Sequence, residues 1–172
     1  MVDQSTTIGD VKENLKGRTG PEQIIHKHVL WSMGAGIIPF PVFDVAAVAA
    51  VQLKMLRDLT REYGQDFSEA RSKALLTSLI GGIAPGSLTG SALGGVIKLV
   101  PFVGPIIGGI TLPIFAGAAT YAIGHVFNDH FARGGTLEDF MDSDATREMV
   151  RTKFAEGKRV AESIGRKQPS TT

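Results

Sequence analysis

The stretch VLWSMGAGIIPFPVFDVAAVAAV, from Val29 to Val51, decides how the rest of the chain is read. It contains no Lys, Arg or Glu, and Asp44 is its sole ionisable side chain. Its length would cross a bilayer if it ran straight. Pro39 and Pro41 stand in its middle, however, and each removes an amide donor and turns the residue before it away from helical geometry. The stretch therefore predicts a helix from about Pro21 to Ile38, a tight corner, and a second helix from about Val42 to Tyr63 stopped by Gly64.

Outward from this hairpin, the second helix grows amphipathic. Val48, Leu56, Leu59 and Tyr63 approximate one face, while Lys54, Arg57, Asp58, Arg61 and Glu62 crowd the others. A hydrated connection follows through Gln65 to Lys73, with Ser68 or Asp66 as the candidate N-cap of the next helix. From Ala74 to Ile97 no charge occurs, and after Lys98 the run resumes from Leu99 to Asn128 with only His125 titratable near neutrality. Pro85, Pro101, Pro105 and Pro113 divide it into short or kinked helices. Broken helices at membrane depth need cover from protein, which association between copies would supply. Asn128 to Phe140 reads as a polar turn region, and Asp144 to Ile164 as a charged terminal helix whose thin apolar face is Met149, Val150, Phe154, Val160, Ala161 and Ile164.

These elements predict an all-α helical bundle with proline-cornered hydrophobic hairpins, embedded in or associated with a membrane. A polar segment at 1–20 precedes a hydrophobic helical domain at 21–140 and a charged helix and tail at 141–172. The first segment lacks the apolar run of a secretory signal.

Composition narrows the function. Across 172 residues, 18 Lys and Arg balance 17 Asp and Glu, so no global field draws the chain to nucleic acid. Cysteine is absent, which excludes disulfides, thiolate zinc sites and thiol catalysis. Mean hydropathy is only +0.11, because polar ends dilute an apolar middle.

The sharpest spacing is Gly82, Gly86, Gly90 and Gly94, followed by Gly104 and Gly108. On a helix, four-residue spacing lines one ridge with hydrogens and lets another helix approach closely, which suits an oligomer seam in lipid. The competing reading makes some of them turn residues around Pro85. Pro39, Pro41 and Pro101 are corner residues. Asp44 is either an intramembrane carboxylate or a first-turn partner of the helix dipole, and its place just after Pro41 favours the second. Lys98 would line a pore or snorkel to a headgroup, with snorkelling favoured. His125, four residues before Asp129 and next but four to His130, shares a face with that carboxylate, but two ligands do not make a metal site. A surface role near a helix end is expected for the histidines. No phosphate-binding Gly-Lys-Ser/Thr loop ends the run Gly90 to Lys98, and no nucleophile elbow occurs. No catalytic, metal or cofactor residues are assigned, and the chain is expected not to be an enzyme.

In combination, IPFPVFD (Ile38 to Asp44), QLKM (Gln52 to Met55), Tyr63-Gly64, LVPFVG (Leu99 to Gly104) and TYAIGHVFNDHFARGGT (Thr120 to Thr136) carry a resemblance. The chain resembles, over about Val29 to Phe140, the uncharacterised helical family found C-terminal to Era-like small GTPases and in YcjF-type inner-membrane proteins. The resemblance implies a membrane-associated module with no catalytic residues to transfer, and a GTPase partner acting in trans, since no GTPase domain is present here.

The expected function is a structural or interaction protein of the bacterial inner membrane or an internal membrane. It would self-associate through glycine-lined helices, bind lipid and keep both termini cytoplasmic. Two rivals are a channel or transporter component with a polar path through Asp44, Lys98 or His125, and a soluble homo-oligomer that buries its apolar helices between subunits.

Overall fold

The computed structural model describes residues 20–35, 41–83, 106–107 and 110–167. Five helices make up the fold: α1 (Pro21–Ala35), α2 (Pro41–Glu62), α3 (Glu69–Ile83), α4 (Leu112–Ala132) and α5 (Asp144–Lys167). A two-residue ladder, β1 (Ile106–Ile107) against β2 (Ile110–Thr111), leads into α4 with Ile106 opposite Thr111 and Ile107 opposite Ile110. The architecture is all-α, as its sequence pattern predicts.

Local chemistry sets the helix ends. Gly64 stops α2 at φ +63°, a left-handed conformation that side chains resist, and the Gly64 and Gln65 amides close onto the Arg61 and Thr60 carbonyls. Ser68 caps α3, its Oγ accepting from the Arg71 amide at 3.3 Å. Ser143 does the same for α5, accepting from the Thr146 amide at 3.2 Å. Pro113 occupies the opening turn of α4, where a missing N–H costs nothing.

The first helix is described as far as Ala35, and the expected end at Ile38 lies outside the described residues. Two expectations need correcting. The polar appearance of Asn128 to Ala132 does not end α4, because Phe127 and Phe131 are buried on its inner side and the Tyr63 hydroxyl holds Asn128 Oδ1 at 2.7 Å. Met149, assigned to the apolar face of α5, is 38 % exposed, while Val150 beside it is fully buried.

Helix α4 is the spine, packed against α5, α1 and α2. Its buried face is built from small residues: Ala116, Gly117, Ala118, Ala119, Ala122 and Gly124. Around it, Ile25, Val29, Met55, Leu56, Leu59, Leu79, Ile123 and Phe127 form one continuous core. Phe127 stacks on Phe140 at 4.2 Å between ring centroids, which anchors the loop after α4. Full burial of one such side chain is worth about 1.5–3 kcal/mol.

The bundle has two unlike poles. At one, Gly20 meets Glu62, Arg71 of α3 grips the 137–140 loop, and α5 begins at Asp144. At the other, Gly34 of α1, Thr111 and Pro113 at the start of α4, and Ile164 to Arg166 of α5 line one cleft. Among the described residues, no helix is long and apolar enough to cross a membrane.

Candidate functional site

A polar seam runs through the core between α1, α2 and α4. Ser32, Gln52 and Thr120 are all buried within otherwise apolar surroundings. Ser32 Oγ lies 2.6 Å from the His28 carbonyl and 2.8 Å from Thr120 Oγ1, and Gln52 Nε2 reaches Thr120 Oγ1 at 3.3 Å. The Gln52 amide donates to Thr120 Oγ1, and the Ser32 hydroxyl is shared between the His28 carbonyl and Thr120 Oγ1. Three helices are thereby held at one level.

One turn away, His28 is also fully buried, against the surface role expected of it. Its Nδ1 donates to the Ile24 carbonyl at 2.7 Å, which turns Nε2 toward Asp58 Oδ2 at 3.6 Å. Burial holds the imidazole below its ordinary pKa, the Ile24 carbonyl and Asp58 opposing that shift and Lys54 and Lys27 adding to it. Asp58 also takes the Lys54 ammonium at 2.9 Å. Outside this group stands Trp31, 42 % exposed, edge-on to His28 with ring centroids 5.0 Å apart. Lys27 Nζ lies 4.5 Å from its ring centre and Lys54 Nζ 5.9 Å. An exposed indole between two ammonium groups is the most distinctive surface of the described protein.

His125 is only 12 % exposed, lying beside Glu22 at 3.7 Å and on the Tyr121 ring at 4.1 Å. Burial lowers its pKa, with Glu22 opposing. His130 does not join it in a cluster. It reaches the Asp139 carboxylate at 2.8 Å and the Thr136 carbonyl at 2.9 Å, bracing the loop after α4. Among the described residues no three His, Asp or Glu side chains are grouped as a metal site.

The other residues singled out from the sequence are placed as follows. Pro41 opens α2, Asp44 stands in its first turn, and Gly82 lies in the last turn of α3. Gly86, Gly90, Gly94, Gly104 and Gly108, with Pro39, Lys98 and Pro101, lie outside the described residues. Close helix approach is instead visible at Gly117, Gly124 and Gly157. A Cβ at Gly117 would fall 2.6 Å from Met33 Cγ, and one at Gly124 would fall 2.9 Å from Ile25 Cγ1. Sequence reasoning passed over these, although Gly117 and Gly124 are seven apart and so share a helix face. It also passed over Ser32, Gln52 and Thr120, whose signal was a polar side chain inside a charge-free run.

The cleft at the second pole has a volume of about 540 Å³, with Leu30, Met33, Ile114 and Ile164 as apolar walls and Glu162 and Arg166 among its lining.

Comparison with known proteins places this bundle in a family. Magnetosome membrane protein 22 of Magnetospirillum gryphiswaldense is 37 % identical over 162 residues, covering 94 % of this chain and 83 % of that protein. No solved structure matches the chain. The model of a domain of unknown function, DUF697, matches residues 19–159, which takes in α1 to α4 and α5 as far as Arg159, and the chain belongs to that family.

Proposed function

We propose that the protein is a non-enzymatic, membrane-associated structural and interaction protein. The observation that carries this is the likeness to a magnetosome membrane protein along 94 % of the chain. The two poles support it. The end of α1 and the start of α4 both lie at the cleft pole, whereas the other pole collects Glu22, Glu62, His130, Arg133 and Asp139. The apolar connections would enter lipid and the charged pole would stay in water.

In this reading the location is a bacterial inner or internal membrane, with both termini on the cytoplasmic side. Copies associate through the series Gly82, Gly86, Gly90, Gly94, Gly104 and Gly108, close spacing replacing the hydrophobic drive that lipid removes. A small GTPase acting in trans is the partner that the family resemblance suggests.

Flotation of the full chain tests the reading. Expressed in bacteria, it should rise with membranes through a sucrose gradient and resist a carbonate wash. In mild detergent it should be larger than one copy by light scattering, and G90L with G94L should reduce it to one. A detergent-free supernatant monomer overturns the membrane assignment; an unchanged mass in the double variant overturns the glycine seam.

A further inference from the structure

We infer that Trp31, Lys27 and Lys54 form a patch that sits in the headgroup layer of an anionic membrane and fixes the depth of the α1–α2 hairpin. This rests on the membrane-associated reading above and adds where the bilayer boundary falls.

The argument starts from where charge stops. Along α1, Lys27 and His28 are the last titratable side chains before the helix ends at Ala35. Along α2, Lys54 is the first Lys, Arg or Glu after the helix opens at Pro41, and Arg57, Asp58, Arg61 and Glu62 follow it. From Pro41 to Lys54 the helix rises about 20 Å without a basic residue. The helices run antiparallel, with Gly20 near Glu62, His28 near Asp58 and Trp31 near Lys54. The last basic side chain on each helix therefore falls at one level. On one side of that level both sequences are charged, and on the other α1 carries no charge and α2 only Asp44.

At this level the chain places its single tryptophan. Trp31 is 42 % exposed, whereas Ile25, Val29 and Met33 of α1 are buried and Ile24 and Leu30 partly buried. Indole is favoured at membrane boundaries, where its ring meets acyl carbons and its N–H meets water or headgroup. The two ammonium groups beside it supply the complement to lipid phosphates, and their aliphatic stems allow them to reach past the ring. Lys54 keeps its Asp58 partner on the charged side, so the patch is braced by the interior group His28 to Asp58 rather than hanging from the surface. A water-facing role gives no reason for the indole to be exposed at this one level.

The single tryptophan makes the test direct. The full chain is reconstituted in phosphatidylglycerol vesicles carrying bromines at acyl positions 6,7 or 11,12. Trp31 emission should move to shorter wavelength and be quenched more by the shallow bromines. K27E with K54E should lose that quenching while keeping its circular dichroism spectrum, and K27R with K54R should retain it. On preformed vesicles, K27Q with K54Q should bind roughly 10- to 30-fold more weakly, about what two lysines near an anionic surface contribute.

Co-flotation with no change in emission and no quenching overturns the inference and leaves the membrane reading standing. Quenching that is stronger from the deep bromines overturns the boundary placement. Failure to float at all overturns the membrane reading, and this inference with it.

Discussion

Gly157 of α5 lies flat against Tyr121 of α4: a Cβ on Gly157 would fall 2.8 Å from the Tyr121 Cβ and 2.9 Å from the Ala118 carbonyl oxygen. Neither obstacle is the end of a flexible chain. The G157A variant must push two helices apart and should lose about 1–3 kcal/mol in urea unfolding. Gly165, on the same helix with nothing within 4 Å of such an atom, is the control. There G165A should be neutral or up to about 1 kcal/mol more stable, as in an open helix. Equal losses at both positions would refute the close crossing.

Stability should fall as the pH drops from 7 toward 5. His28 and His125 are both held below the ordinary value of 6.5 by burial, so in this range the unfolded chain binds protons that the folded chain refuses. Their contribution is complete above about pH 6.5 and disappears as the pH passes down through their folded values. The loss is at most about 1.4 kcal/mol per pH unit for each histidine. Asp58, Lys54 and Lys27 face the first, and Glu22, Lys153, Asp129 and Glu156 the second. Asp142, held below its usual range by Arg147, acts only at more acidic pH. H28Q should flatten the slope of unfolding free energy between pH 5 and 7, whatever it does to the absolute value. An unchanged slope in H28Q with H125Q together would disprove the assignment.

Arg71 ties α3 to the loop after α4. Its Nε donates to the Leu137 carbonyl at 3.1 Å, and one terminal nitrogen to those of Glu138 at 3.3 Å and Phe140 at 2.9 Å. The R71A variant should cost about 1–3 kcal/mol and speed hydrogen exchange at 136–140 more than elsewhere. R71K should not restore protection, since one ammonium cannot match the planar fork.

Cutting the seam at its centre should cost more than cutting its end. T120V leaves the Gln52 amide without its acceptor and Ser32 with backbone carbonyls alone, and should lose about 1–3 kcal/mol, against about 1 kcal/mol for S32A. The double variant should fall short of the sum by about 0.5–1.5 kcal/mol. Strict additivity in chemical denaturation would mean that the hydroxyls do not communicate.

Boundaries written in backbone chemistry were legible before the fold was seen. Gly64, Ser68 and Asp144 mark helix ends through left-handed geometry, hydroxyl capping and first-turn charge, and the helices end or begin there. What depends on neighbours distant in the chain was not. Asn128 to Ala132 reads as a turn by composition, but Phe127 and Phe131 find a core supplied by other elements and the helix goes on. His28 looks like a surface histidine until Asp58 and the Ile24 carbonyl surround it. Gly117, Gly124 and Gly157 are ordinary glycines in one dimension; only the approach of Met33, Ile25 and Tyr121 gives them meaning.

The small-residue face of α4 makes the bundle a transmitter of force. Where α4 and α5 cross, Gly157 meets the Ala118 carbonyl and the root of the Tyr121 side chain, and Gly117 lies against both Met33 of α1 and Ala161 of α5. A displacement of α1 would reach α5 with little loss, because close-packed interiors pass strain on instead of absorbing it. Motion of one helix would thus be felt by the charged outer helix, with no moving part beyond the rigid shift of one rod against another.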